Sequence, residues 1–121
     1  LKGGLRYAKL KDVVPRHLEP EPVEVFFVAV GGRGRFPRLL NPFSPLQREY
    51  VIAITPRKVV VLRLKRPGVF RASIDKMVYE ARRRGAAIKW EDGRVVLAGN
   101  EYWPISFHGD DAQALVALIQ G

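Results

Sequence analysis

Between Val23 and Phe107 the apolar residues come in short runs, separated by prolines, glycines and charged turns. The longest apolar runs in the chain, Val25 to Val30 and Ala114 to Ile119, are six residues each. Runs this short suit strands of a sheet, and a helix spanning a bilayer would need about twenty apolar residues. The chain has 121 residues with an apolar fraction of 47%, enough to build one core and too much for a disordered chain.

Residues 5–14 predict a short helix with Tyr7, Leu10 and Val14 on one stripe. Pro15 is expected to limit it, and Pro20 and Pro22 to extend the next segment. Residues 1–22 therefore read as a short helix with a proline-rich lead-in, and residues 23–121 as the main domain. VEVFFVAV is β-rich and ends at Gly31-Gly32. Residues 33–48 read as a long loop with three prolines and four arginines. EYVIAIT and KVVVLRL follow as two strands, with Pro56 presetting a tight turn between them. In the second, Val60, Leu62 and Leu64 share one face, while Val61, Arg63 and Lys65 share the other.

Further strands are expected near Val69–Ala72, at 76–82, at 86–90 and at 94–98, with Glu91-Asp92-Gly93 as a hairpin turn. Pro104 makes the last strand an edge or a bulge. Asp110 with Gln113 predicts a capping box opening a helix at 110–120, with Leu115, Leu118 and Ile119 on its buried side. The fold class expected is mainly β: a small antiparallel barrel or sandwich of about seven strands, with one C-terminal helix packed against it and a short N-terminal helix.

The charge is lopsided. The chain carries 21 Lys+Arg against 12 Asp+Glu, a net of +9. From Gly31 to Arg66 there are nine basic residues and a single acid, Glu49. Such a cluster bears on partners rather than on fold, and it suits an anionic membrane surface or an acidic protein segment. The anion-binding candidates are Arg33, Arg35, Arg38 and Arg48 around the loop, and Arg57, Lys58, Arg63, Lys65 and Arg66 on the following hairpin. Phe36, Leu39, Leu40 and Phe43 are the candidates for inserting into an interface beside those arginines. The plainer reading has the loop folded back over the core and the hairpin charges solvated, where they discourage edge pairing. Arg82-Arg83-Arg84 reads as an ordinary wet hairpin tip.

Nucleic acid ranks behind these partners. Trp90, Tyr102 and Trp103 fall in residues 67–121, where seven basic and seven acidic residues cancel, so no stacking platform coincides with the charge. Catalysis is not expected, and no cofactor or metal is predicted. Cysteine is absent, which excludes thiolate chemistry and fits a reducing cytosol. His108-Gly109-Asp110-Asp111 has a sufficient role at a helix start. The GGRG at 31–34 lacks the Lys-Ser/Thr of a phosphate loop. The chain opens on Leu1 rather than methionine, as expected of a piece of a longer protein.

VIAITPRKVVVLRLKRPG resembles the second and third strands of bacterial pleckstrin-homology-like (PH-like) domains. SIDKMVYEARRRGAAIKWEDGRVVLAG resembles their later hairpins, HLEPEPVEVFFVAV resembles their lead-in to the first strand, and the terminal helix matches the one that plugs their barrel. The resemblance covers roughly residues 17–120. It implies a non-catalytic module that binds lipid headgroups or peptides, or that oligomerises. In eukaryotic relatives that bind phosphoinositides, basic residues sit at the end of the first strand, in the next loop and on the second strand. Here the loop has Arg33, Arg35 and Arg38, whereas the first strand ends in Val30 and Tyr50 to Ile54 holds no basic residue. Self-association through an exposed strand or the apolar loop, giving a homo-oligomer, is the alternative class.

Overall fold

A computed structural model describes residues 7–31, 48–65, 73–105 and 108–120. Among them are two helices and seven strands. In chain order these are α1 (Leu10–His17), β1 (Val25–Gly31), β2 (Arg48–Ile54), β3 (Lys58–Leu64), β4 (Ile74–Arg82), β5 (Ile88–Glu91), β6 (Arg94–Leu97), β7 (Asn100–Pro104) and α2 (Gly109–Gln120). The strands form one antiparallel sheet in the order β4-β3-β2-β1-β7-β6-β5. The expected architecture, an antiparallel sheet of about seven strands with a terminal helix, is therefore present. The strand expected near Val69–Ala72 lies outside the described residues.

The alternation of the central strands feeds two cores rather than one. Phe27, Ala29, Ile52, Ile54, Val59 and Val61 face α2, together with Val95, Leu97 and Tyr102 from the second half of the sheet. Val28, Val51, Ala53, Val60, Leu62 and Leu64 face the other way, onto Leu10 and Val14 of α1. Near-continuous apolar runs such as KVVVLRL are the mark of a strand buried on both faces. The predicted split of β3 holds for Val60, Leu62 and Leu64, but Val61 is equally buried, because α1 and α2 cover opposite sides.

Three local expectations are corrected. Helix α1 runs through Pro15 to His17. Its Leu10 and Val14 are buried, and its last turn is closed by Leu18 N–H to the carbonyls of Val14 and Pro15, so packing holds a turn that proline weakens. Helix α2 starts at Gly109, not at Asp110. The His108 carbonyl accepts the first helical bond, from Ala112 N–H at 3.0 Å, and Asp110 and Asp111 sit in the first turn, where the helix dipole favours acids. The buried stripe of α2 is Ala112, Leu115 and Val116, with Ile119 packed beside it, while Leu118 is 44% exposed.

Pro104 closes β7. Beyond Tyr102 that strand pairs with β1 alone, so Pro104 sits where the β6 side asks for no donor, a local edge of the predicted kind. On β1, Gly31 lies under the edge-to-face rings of Tyr50 and Tyr102, whose centroids are 5.3 Å apart. A Cβ there would stand 3.1 Å from both a Tyr102 ring carbon and the Glu101 carbonyl oxygen, which explains glycine at that position. Burial pushes the Tyr102 hydroxyl up to about 12.

Both later hairpins turn on left-handed backbone. Asp92 and Gly93 have φ of 51° and 78°, as the D-G signal predicts. Ala98 and Gly99, between β6 and β7, have φ of 52° and 84°. Alanine in that region costs about 1–2 kcal/mol. Ala98→Asn is expected to raise unfolding stability by about 0.5–1 kcal/mol, because asparagine tolerates this conformation. Urea unfolding that shows no gain would contradict this account of the turn.

Candidate functional site

Two ends of the β2–β3 hairpin carry the basic residues. At the turn end, Thr55 is buried and its hydroxyl accepts the N–H groups of Arg57 at 3.3 Å and Lys58 at 3.0 Å while donating to Glu21 Oε1 at 2.6 Å. This fixes the turn and leaves Arg57 exposed at its tip. The segment after β4 docks onto the same turn: Arg83 N–H donates to the Arg57 carbonyl at 2.8 Å, and Arg82 stands opposite Lys58 in register. Residues far apart in sequence thus meet in space.

Between the turn, the 82–85 segment and the last turn of α2 lies a cleft of about 900 Å³. Pro56, Arg57 and Lys58 line one side, Arg82, Arg83 and Arg84 the next, and Ile119 and Gln120 the third. The five basic residues are not equivalent. Lys58 hydrogen-bonds Glu80, and that bond holds its ammonium above the ordinary lysine value. Arg83 is tied into the fold: its Nη1 donates to Glu24 Oε1 at 2.8 Å and to the Thr55 carbonyl at 3.2 Å, and its Nη2 reaches the Leu118 carbonyl at 3.4 Å. The side chains of Arg57, Arg82 and Arg84 make no ion pair or hydrogen bond among the described residues. Three guanidinium groups without partners among the described residues therefore share one cleft, with no acid in its described lining.

At the other end of the hairpin, Arg48, Arg63 and Lys65 are placed. Arg63 donates twice to Asp75 Oδ2, at 2.8 and 3.0 Å, and Arg48 reaches the same oxygen at 3.7 Å. Arg63's hydrogen bond holds the Asp75 carboxyl below its usual range. Arg48 also donates to the Leu64 carbonyl at 2.8 Å. Lys65 is exposed. The two ends are separated by the length of seven-residue strands, about 20 Å. Arg33, Arg35, Arg38 and Arg66 lie outside the described residues, as do Phe36, Leu39, Leu40 and Phe43.

Glu49, the single acid between Gly31 and Arg66, does not offset that charge at the surface. It is 1% exposed and takes a hydrogen bond from the Tyr7 hydroxyl. The sequence reading passed over Arg82 and Arg84. The available signal was the run of three arginines itself: β4 ends at Arg82, and of the three only Arg83 is tied inward.

His108 belongs to the frame. Its Nδ1 accepts the Val28 N–H at 2.9 Å, and its ring meets Tyr7 edge-on at 6.4 Å. Burial lowers its pKa, against a smaller opposing effect of Asp111. The unfolded chain then takes up a proton at higher pH than the folded one, so stability is full above about 6.5 and falls as pH drops toward the folded value. His108→Gln is expected to flatten this part of the profile when urea unfolding is compared at pH 7.5, 6.5 and 5.5. A wild-type-minus-variant difference that stays constant across those values would refute it.

Among the described residues, no group of three His, Asp or Glu side chains gathers as a metal site, and no helix is long and apolar enough to cross a membrane. Compared with known protein families, curated proteins and solved structures, the chain finds no match.

Proposed function

We propose that the chain is a non-catalytic PH-like binding module whose basic surface engages an anionic partner. The PH-like reading rests on the sequence resemblance and is supported by the antiparallel strand order with its terminal helix. The observation that carries the binding reading is the cleft of Arg57, Arg82 and Arg84, with no acid among its described lining. Cationic side chains left without counter-charges around a concavity hold a field that attracts polyanions. The partners that suit it are a membrane surface, with the module peripheral to it, and an acidic protein segment.

Co-sedimentation with anionic and neutral vesicles, together with retention on immobilised polyglutamate, tests this at low and physiological salt with DNA as competitor. Binding to anions that weakens with salt and survives excess DNA is the expected result. No binding to vesicles or polyglutamate at low salt would overturn the reading in favour of a self-assembly module, which the mass in solution would then report. Retention that DNA abolishes would point instead to a nonspecific nucleic-acid binder.

A further inference from the structure

We infer that the cleft between the β2–β3 turn, the 82–85 segment and the end of α2 is a seat for an extended acidic protein segment. The inference rests on the anion-binding reading and names the partner class for this site. Three features of the cleft favour that occupant over a bilayer.

The first is convergence. Arg57 and Arg84 come from two different connections onto the same open cleft, with Arg82 from the end of β4 beside them, while Arg83 is paired with Glu24. Guanidinium groups spaced along a cleft can fork onto successive carboxylates of one extended chain. The second is how few apolar tips the described residues place beside these cations. A module that docks on a bilayer places apolar tips beside its cations. Among the described residues the exposed large apolar side chains are Met77, Val78 and Leu118. Met77 and Val78 stand five and four residues up β4 from Arg82, which leaves Leu118 alone near the cleft among the described residues.

The third is the mixed lining. Pro56 and the half-buried Ile119 share the cleft with the arginines. A free phosphate has no use for such walls. A protein segment in which acidic residues flank an apolar one uses both, the carboxylates forking onto guanidinium groups and the apolar side chain covering Ile119. Gly85 adds room, since a Cβ on it would meet nothing within 4 Å.

The test is fluorescence anisotropy with a short labelled peptide of glutamates around a central leucine, run beside anionic vesicles and inorganic polyphosphate. Salt-sensitive binding is expected, weakened about tenfold or more by the triple change R57E/R82E/R84E and clearly by the neutral R57Q/R82Q/R84Q. All three side chains are without partners among the described residues, so both variants should melt as the wild type does, which keeps folding out of the result. Lys65→Glu, at the far end of the hairpin, should leave affinity within about twofold. Replacing the peptide's leucine with glycine should weaken binding severalfold.

Equal binding by wild type and both triple variants would overturn the cleft assignment. Vesicle pelleting without peptide binding would overturn the acidic-segment inference while leaving the anion-binding reading intact. Polyphosphate that binds as tightly as the leucine peptide, with no loss on the leucine-to-glycine change, would assign the cleft to small anions instead. If neither vesicles nor peptide bind at low salt, both readings fall together.

Discussion

Leu10→Ala is expected to destabilise the protein by about 2–5 kcal/mol, the range for truncating a buried leucine. Leu10 is fully buried, and with Val14 it is what α1 contributes to the face of Val28, Val51, Ala53, Val60, Leu62 and Leu64. The loss should match that of Leu115→Ala on the opposite face, where α2 does the same for the other core. Because the sheet separates the two sites, the double variant should lose the sum of the two to within about 0.5 kcal/mol. Urea unfolding with an unchanged denaturant slope would read this cleanly. A cost below about 1 kcal/mol for Leu10→Ala would mean that α1 is a loosely attached lead-in and that one face of the sheet is not sealed by it.

That expectation does not follow from the amino-acid order alone. The stripe of Tyr7, Leu10 and Val14 was visible, and so was the unbroken apolar character of YVIAI and VVVL. The link between them was not. A short helix has too few residues to declare which surface it covers, and proline at position 15 argued for stopping it early. The structure joins the two observations: strands apolar on both sides need two covers, and α1 is the second. The D-G hairpin and the terminal helix were legible because their signals are local. The start of that helix was misread because Asp110 looks like a cap, while the group that occupies the position is His108, held by a backbone N–H of a strand 80 residues away. No local pattern encodes such a partner.

The same limit governs the candidate site. Net charge along the chain placed all the excess in the first 66 residues, and the RRR run fell in the neutral remainder. Antiparallel pairing of β3 with β4 puts Lys58 opposite Arg82, so a tract judged balanced by its sequence neighbours is basic where it matters. Of the acids near it in sequence, Glu80 pairs with Lys58 at the cleft, while Glu91 and Glu101 lie beside Arg94, the latter at 3.1 Å, so Arg57, Arg82 and Arg84 are the charges left over among the described residues. Charge sums over sequence windows measure local composition, whereas a partner meets the sum over a surface.

Three consecutive arginines should therefore behave in two different ways. Arg83→Ala is expected to cost about 1–2 kcal/mol, from a part-buried bond to the Thr55 carbonyl and a solvent-screened pair with Glu24. Its guanidinium joins Glu24 ahead of β1, the Thr55 carbonyl at the β2–β3 turn and the Leu118 carbonyl near the end of α2. Removing it leaves those acceptors to find water at a junction of three elements. Arg83→Lys should recover only part of the loss, since one ammonium cannot reproduce a planar fork that spans three acceptors. Arg82→Ala and Arg84→Ala, with no side-chain partners among the described residues, should stay within about 0.5 kcal/mol of wild type. Thermal and urea unfolding of the four variants separates these outcomes. Equal, small effects at all three positions would mean that the Arg83 contacts are too solvent-screened to hold the helix end. Large effects at Arg82 or Arg84 would mean that those side chains have structural partners, and the cleft would lose the free guanidinium groups on which its anion-binding role depends.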